Sequence, residues 1–232
     1  MLISGLQRTT LLDYPGHVAA TIFTGGCNFR CPFCHNSDLL QASCIPKEQI
    51  FALEDIFTFL KKRKPLLEGV CITGGEPTLQ PDLETFIRQV RELGYLIKLD
   101  TNGSRPEVLA RLLNEGLLDY VAMDIKSCRP RYSALTDVPV SLEAIAESID
   151  LLKKSSIPYE FRTTVVRELH TAEDFLQIGQ WLSGPSLYYL QNYQDSEHVL
   201  KRGFSSYKKE ELEQFRQLLL PYLPNTYLRG VD

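Results

Sequence analysis

The chain has 232 residues, of which 44% are apolar and 23% are charged, and this composition excludes a disordered protein. The length is sufficient for one domain with a sizeable core. The net charge of −4, without a cluster of basic residues, argues against a protein that binds nucleic acid.

Apolar or β-branched runs alternate with segments of helical periodicity along the chain. The predicted strands are 18–24, 69–73, 95–100, 120–125, 159–166 and 187–193. The predicted helices are 47–62, 83–93, 107–115, 142–154, 172–182 and 208–219. Pro81 and Asp82 precede one helix, and Gly94 and Gly116 follow two others, as helix start and stop signals do.

Six strands, each followed by a helix, indicate parallel strands joined by right-handed crossovers. Both an open doubly wound sheet and a barrel satisfy this order, but six units are too few to close an eight-unit barrel. Polar residues follow all six strand ends, which suits a barrel mouth better than a single crevice. We therefore predict an α/β fold, a partial (β/α)6 split TIM-type barrel with parallel strands. We expect one domain, with an extension at 1–17, a barrel core at 18–200 and a helix and tail at 201–232.

The compartment follows from the apolar runs and the amino terminus. No apolar run approaches the roughly 20 residues of a membrane span, so we expect no membrane partner. The amino-terminal residues lack the apolar core of a signal peptide, which favours a cytoplasmic protein. In that reducing compartment, clustered cysteines indicate metal binding rather than disulfides.

Three of the six cysteines, Cys27, Cys31 and Cys34, lie within eight residues, spaced C-x3-C-x2-C after the first predicted strand. An iron–sulfur cubane has four irons and takes thiolate ligands, so this loop leaves one iron open. A zinc site with His35 would place two adjacent residues on one tetrahedral ion, which is strained. The pattern favours the open-cornered cluster, while zinc and a closed cluster that uses Cys44 stay alternatives.

The remaining cysteines and histidines carry weaker signals. His35 lies beside the cysteine loop, where it can tune a cluster by hydrogen bonding. We expect Cys71 to be a small core residue and Cys128 to be an ordinary surface or packing residue. We expect His17, His170 and His198 to lie at the surface.

The cysteine loop and the next strand end together carry a family resemblance. Phe33 precedes the last cysteine, and the second predicted strand ends in Gly74-Gly75-Glu76-Pro77. In this order, each at a strand end, the motifs resemble the radical S-adenosylmethionine (SAM) superfamily. The resemblance implies that the three cysteines hold a [4Fe-4S] cluster whose fourth iron binds SAM. It also implies an oxidoreductase that reductively cleaves SAM to a 5′-deoxyadenosyl radical.

Further motifs narrow the resemblance. The sequences "CHN", "DTNG" and "MDIK" resemble the glycyl-radical-enzyme activases, and "LLDYPG" is most similar to longer-type activating proteins of anaerobic ribonucleoside-triphosphate reductase. The chain differs from pyruvate formate-lyase activating enzyme, whose corresponding motif is DGPG-like and whose last strand carries a histidine where Gln191 lies here. The resemblance implies a glycyl radical enzyme as partner, an anaerobic ribonucleotide reductase, and a flavodoxin or ferredoxin-type electron donor. One cluster is expected.

The resemblance also implies roles for residues at the cavity mouth. Gly74, Gly75 and Glu76 are expected to bind the methionyl ammonium of SAM. Lys126 is expected at its carboxylate or ribose, and Phe33 at its adenine. The further predicted SAM-binding residues are Asp100, Thr101, Asn102, Arg162 and Gln191.

A cation site is predicted at two acids that end neighbouring strands. The carboxylates of Asp100 and Asp124 should converge, and two such buried acids need a cation or a shared proton. The resemblance implies a monovalent metal ion held by Asp100, Thr101 and Asp124. Alternatives are that the aspartates cap turns, that Asp124 and Lys126 form an ordinary ion pair, and that 73–77 is a tight turn.

Two other functions stay open. One is a small-molecule radical SAM enzyme similar to 7-carboxy-7-deazaguanine synthase, which shares the three-cysteine loop and a small barrel. The other is a non-enzymatic iron–sulfur electron carrier or a zinc-stabilised interaction domain. The second alternative predicts no binding of SAM.

Overall fold

The backbone forms one sheet of eight strands, and the computed structural model describes residues 1–231. The strands are β1 (Ile3–Thr10), β2 (Ala19–Thr24), β3 (Gly69–Gly74), β4 (Leu96–Thr101), β5 (Tyr120–Asp124), β6 (Tyr159–Val165), β7 (Leu187–Asn192) and β8 (Thr226–Arg229). The helices are α1 (Leu53–Arg63), α2 (Leu83–Glu92), α3 (Pro106–Asn114), α4 (Tyr132–Thr136), α5 (Leu142–Lys154), α6 (Ala172–Leu182) and α7 (Lys209–Leu219).

The order of the strands in the sheet follows their order in the chain. β1 pairs antiparallel with β2, and every later pair of neighbouring strands is parallel. Leu12, Asp13 and Pro15, which follow β1, line one cavity together with Arg229 at the end of β8. The two edges of the sheet therefore face each other across an open side. The predicted α/β partial barrel with parallel strands is confirmed.

The structure adds two strands to the six that the sequence predicts. β1 lies within the predicted extension 1–17, and β8 lies within the predicted tail 201–232. The helix predicted at 47–62 begins only at Leu53. The reason is a backbone hydrogen bond of 2.9 Å from the amide of Phe51 to the carbonyl of Ile3, which holds residue 51 beside β1.

One face of each long helix packs against the sheet. In α2 the buried residues Leu83, Phe86, Ile87 and Val90 recur every three or four positions, as in an amphipathic helix. α5 begins at an N-cap, where the hydroxyl of Ser141 accepts a hydrogen bond from the amide of Ala144. In the part of the chain that the structure describes, no helix has the length and apolar character to cross a membrane.

The two faces of the central strands differ in polarity. On β4, Ile97 and Leu99 belong to the main apolar core. Lys98 and Asp100 point to the opposite face because side chains alternate along a strand. That face is the inside of the barrel, and Lys98 is almost fully buried there. Parallel strands therefore direct their polar inner residues toward one common mouth.

Candidate active site

The cysteine loop and the carboxyl ends of the strands surround one cavity of about 220 Å³. All residues that the sequence analysis assigns to the site line this cavity. They are Cys27, Cys31, Phe33, Cys34, Gly74, Gly75, Glu76, Asp100, Thr101, Asn102, Asp124, Lys126, Arg162 and Gln191. The sequence positions of these residues span six different strand ends, and the partial barrel brings them together.

Backbone hydrogen bonds fix the loop that carries the three cysteines. Within it, the amide of Cys34 donates to the carbonyl of Cys31 at 3.0 Å. Residues 194–201, which we call the covering segment, lie against its outer side. The amide of Leu200 donates to the carbonyl of Cys34 at 3.2 Å, and that of Lys201 donates to the carbonyl of Pro32 at 2.8 Å. The loop is therefore held in place both by its own hydrogen bond and by hydrogen bonds from the covering segment.

The three thiols are free, with Cys31 buried and Cys27 and Cys34 half-buried. Burial raises the pKa of Cys27 to about 12 and that of Cys31 to about 11, and it also raises the pKa of Cys34. The thiols are therefore protonated at neutral pH in the metal-free chain, and metal binding must release their protons. Within residues 1–231, no three His, Cys, Asp or Glu side chains are gathered so as to hold a single metal ion.

The donor set fits an iron–sulfur cluster. Three thiols without disulfide partners face one cavity, and thiolates are the usual ligands of such clusters. Cys44, the alternative fourth ligand, is exposed, donates to the side chain of Gln41, and is not among the residues lining the cavity.

Gly74, the last residue of β3, lies against the end of β2, and Gly75 lies against the backbone of the cysteine loop. A Cβ atom on Gly75 would lie 2.1 Å from the carbonyl oxygen of Gly26. Gly74 has φ = +113°, a conformation that favours glycine. The amide of Glu76 donates to the same Gly26 oxygen at 2.8 Å, and Asn36 Nδ2 donates to the Gly74 carbonyl at 3.1 Å. The cysteine loop and residues 74–77 are therefore joined by backbone contacts of Gly75 and Glu76 and by the side chain of Asn36.

Glu76 is 1% exposed and joins β3 to β4. Its carboxylate accepts hydrogen bonds from the amide of Asn102 and the hydroxyl of Thr101, both at 2.7 Å, and from Thr78. Burial raises its pKa, although these hydrogen bonds oppose the shift. Both oxygens thus have partners within the protein. The predicted contact between this carboxylate and the ammonium of SAM stays a prediction.

Five alternating charges form a ladder inside the barrel, in the order Lys98, Asp100, Arg162, Asp124 and Lys126. Lys98 and Arg162 pair with different oxygens of Asp100. Arg162 Nε lies 2.6 Å from Asp124 Oδ1, and Lys126 Nζ lies 3.0 Å from Asp124 Oδ2. Burial opposes the ionisation of Asp124, but Arg162 and Lys126 outweigh it and hold the pKa of Asp124 far below its usual value.

The ladder occupies the two aspartates at which the sequence analysis predicts a metal cation. All four oxygens of Asp100 and Asp124 have a donor on Lys98, Arg162 or Lys126. The hydroxyl of Thr101 donates to Glu76 and not to either aspartate. The need for positive charge is therefore met by side chains. A monovalent ion stays a prediction, and it would share these carboxylate oxygens with the donors of the ladder.

Several residues near the site lie where the sequence analysis does not place them. The surface position predicted for His170 is wrong, because its side chain is fully buried against the cysteine loop. Lys98 and Asn36 carry contacts that sequence reasoning misses, although a lysine within an apolar run is a visible signal for the former. His35 stacks on Tyr193, with ring centroids 5.4 Å apart.

The fold and the cysteine cavity define an enzyme of one superfamily. The family model described as "Radical SAM superfamily" matches residues 21–182. The chain belongs to this superfamily, which confirms the resemblance, and it is accordingly an oxidoreductase. Membership implies a [4Fe-4S] cluster and SAM as cofactors.

The chain is similar to particular members of this superfamily. A Methanocaldococcus jannaschii protein, named by inference as a glycyl-radical enzyme activating enzyme, is 32% identical over 238 residues, covering 100% of this chain and 97% of that protein. The GTP 3′,8-cyclase of Nautilia profundicola is 28% identical over 178 residues, covering 75% of this chain and 53% of the cyclase. The chain thus spans about half the length of that cyclase.

Solved structures share the fold at low sequence identity. A domain of pyruvate-formate lyase-activating enzyme from Bacteroides vulgatus has a TM-score of 0.58 and 22% identity, covering 70% of this chain and 99% of the domain. Streptococcus suis SuiB bound to precursor peptide SuiA has a TM-score of 0.68 and 14% identity, covering 90% of this chain and 48% of SuiB. These likenesses support the fold alone.

Proposed function

We propose that this radical SAM enzyme is a glycyl-radical-enzyme activase. It removes a hydrogen atom from the Cα of a glycine in a partner enzyme and leaves a stable glycyl radical there. The observation that carries the proposal is the similarity to the Methanocaldococcus jannaschii protein, which extends over 100% of this chain and 97% of that protein. The similarity to the cyclase extends over only 53% of the cyclase.

The proposed cofactor contacts follow from the cavity. Cys27, Cys31 and Cys34 hold the cluster through their thiolates. When bound, the cluster and SAM supply the hydrogen-abstracting radical chemistry, while the protein supplies orientation and electrostatics. The ladder of three cations and two carboxylates carries one excess positive charge, which suits the carboxylate of SAM.

The remaining assigned residues shape the same cavity. Gly74 and Gly75 present backbone atoms of a strand end, which suit the ammonium of SAM. Phe33 contacts the adenine. Six further residues that line the cavity are proposed to bind SAM: Asp100, Thr101, Asn102, Lys126, Arg162 and Gln191.

The proposed approach of the partner polypeptide is from the open side of the partial barrel. Gln191 lines the main cavity and also a neighbouring surface cavity of about 400 Å³ beside the covering segment. His35 also lines both cavities. A loop of a partner enzyme can therefore approach from this side. The proposed partner, an anaerobic ribonucleotide reductase, the flavodoxin or ferredoxin-type donor and the cytoplasmic setting rest on the motif resemblance.

A second candidate function is the modification of a small molecule. The similarity to GTP 3′,8-cyclases favours this candidate, because the match to the Nautilia profundicola cyclase covers 75% of this chain. This candidate predicts cleavage of SAM that depends on a nucleotide or a pterin rather than on a partner protein.

The deciding experiment begins with anaerobic reconstitution of the full chain with iron and sulfide. The reduced protein is mixed with SAM and an anaerobic ribonucleotide reductase, and the partner is examined by electron paramagnetic resonance (EPR). We expect a glycyl radical on the partner together with 5′-deoxyadenosine, and no radical on a partner variant that lacks the target glycine. Cleavage of SAM with GTP or a pterin, and a radical-free partner, would instead establish the second candidate.

A further inference from the structure

His170 lies in the loop after β6, and its side chain is fully buried. Its ring is enclosed by two aromatic residues. The ring centroid lies 6.1 Å from that of Phe33 in an edge-on contact and 5.8 Å from that of Phe175 in a stacked contact. Phe33 lies between two cysteines of the cysteine loop and lines the main cavity. A buried imidazole therefore packs directly against that loop.

Hydrogen bonds fix the tautomer of this ring. The amide of Val166 donates to His170 Nδ1 at 3.1 Å, so Nδ1 is the acceptor and carries no proton. The ring proton of the neutral imidazole is then on Nε2, which donates to the carbonyl oxygen of Lys126 at 3.0 Å. Burial lowers the pKa of His170, which agrees with a neutral ring.

The residue at the other end of this hydrogen bond belongs to the site. The carbonyl of Lys126 lies just beyond β5, and its ammonium faces the cavity and pairs with Asp124. The backbone of His170 is itself anchored, because Tyr207 Oη donates to its carbonyl oxygen at 2.7 Å. His170 thus links the cysteine loop, by packing, to the end of β5, by a hydrogen bond.

We propose that His170 is a positioning residue that sets the distance between the cysteine loop and Lys126. The proposal rests on the proposed assignment of the cavity to SAM. Because Cys31 and Cys34 flank Phe33 and Lys126 faces the same cavity, displacement of either side changes the space in which SAM binds. His170 touches no ligand in this scheme and acts through Lys126 and Phe33.

Three substitutions separate the packing of the ring from its two hydrogen bonds. His170→Gln places an amide N–H near the position of Nε2 and retains the bond to Lys126. His170→Asn places an amide oxygen near the position of Nδ1 and retains only the bond from Val166. His170→Phe retains the aromatic packing and loses both bonds. His17→Gln, on the opposite end of the barrel, is the control.

The measurements use the full reconstituted chain and compare SAM affinity with stability. Loss of the bond to Lys126 in His170→Asn and His170→Phe should weaken SAM binding roughly tenfold. His170→Gln should stay within about threefold of the unaltered protein. His170→Gln and His170→Asn each lose the ring packing and one hydrogen bond, so their unfolding temperatures should be similar. The change in the EPR signal on adding SAM should require correspondingly higher SAM concentrations in the Asn and Phe variants.

A structural role alone gives a different result. Equal SAM affinity in His170→Gln and His170→Asn, or unaltered affinity in His170→Phe, would overturn the proposal. If His170→Phe does not fold, nitrogen-15 NMR of the unaltered, iron-free full chain gives an independent test. A proton on Nδ1 at neutral pH would also overturn it. An unaltered protein that shows no response to SAM contradicts the proposed function instead, so the two failures are distinguishable.

Discussion

The guanidinium of Arg162, on β6, lies 2.6 Å from the carboxylate of Asp124, its register partner on the neighbouring strand β5. Register partners in a sheet present their side chains on the same face, so the pairing follows from the strand alignment itself. The same guanidinium reaches Asp100 on β4 at 3.0 Å. One arginine therefore connects the inner faces of three adjacent strands.

Arg162→Met should destabilise the protein markedly. The substitution leaves two carboxylates, 12% and 30% exposed, short of a partner. Breaking such a largely desolvated ion pair costs about 3 kcal/mol. The free energy of unfolding, measured with urea, tests this expectation. Arg167→Met is the control, because Arg167 in its pair with Glu211 is 38% exposed, against 16% for Arg162. Equal losses in both variants would show that the ladder contributes no more to stability than an exposed ion pair does.

The cysteine assignments predict a sharp difference in iron content. Replacing Cys27, Cys31 or Cys34 by Ala should abolish the stable cluster, because each removes one of three thiolate ligands. Cys44→Ala should retain the iron and sulfide of the unaltered protein, because Cys44 is exposed and is not among the lining residues. Iron and sulfide analysis after anaerobic reconstitution measures both. Loss of iron in Cys44→Ala would indicate a fourth cysteine ligand.

Gly75→Ala should disrupt the site more than an ordinary glycine substitution does. The new Cβ atom would lie 2.1 Å from a backbone oxygen of Gly26, so β3 or the cysteine loop must shift. Gly116→Ala is a suitable control, since its φ is +62° but no atom lies within 4 Å of the new Cβ. The control should cost only about 1 kcal/mol. Cluster content should fall in Gly75→Ala alone, and equal content in both variants would contradict the interlocking.

His170 predicts a component of the pH dependence of stability. Its pKa is lowered by burial, so the folded chain binds this proton more weakly than the unfolded chain. Stability from this group is present above the ordinary histidine pKa and is lost as pH falls below it, by up to about 1.4 kcal/mol per pH unit. His170→Gln should therefore lose less stability than the unaltered iron-free chain between about pH 7 and pH 5.

Urea midpoints over this pH range provide the measurement. Asp174, Arg131 and Lys126 also act on the His170 ring, and all three are retained in the variant. His198→Gln is the control, because it removes an imidazole whose side chain is 60% exposed. A pH dependence of His170→Gln identical to that of the unaltered chain would show that the ring is not buried as a neutral group.

The sequence predicts the parallel part of the fold well because its strands are apolar runs that alternate with amphipathic helices. Helices α5 and α6 have the predicted bounds. β1 and β8 are missed for a physical reason. Both are edge strands with exposed residues, and β8 has only four residues, so neither shows the pattern of a buried strand.

The positions of the cavity residues were predictable because parallel strands direct their ends to one mouth. The burial of Lys98 and His170 was not, because a buried polar side chain depends on partners from distant parts of the chain. Lys98 pairs with Asp100 but also contacts Cys71, which lies 27 residues earlier, and His170 requires the carbonyl of Lys126, which lies 44 residues earlier. Local patterns do not specify such contacts.

The contact between Gly75 and Gly26 has a consequence for protein engineering. Gly75, just after β3, contacts the backbone of the cysteine loop. The loop sequence therefore cannot be transferred by itself to another barrel and keep its conformation. A transplant must carry the glycine pair of β3 and Asn36 with it, since Asn36 closes the contact from the other end of the loop. The transferable unit is therefore discontinuous in sequence, and its two pieces must be moved together.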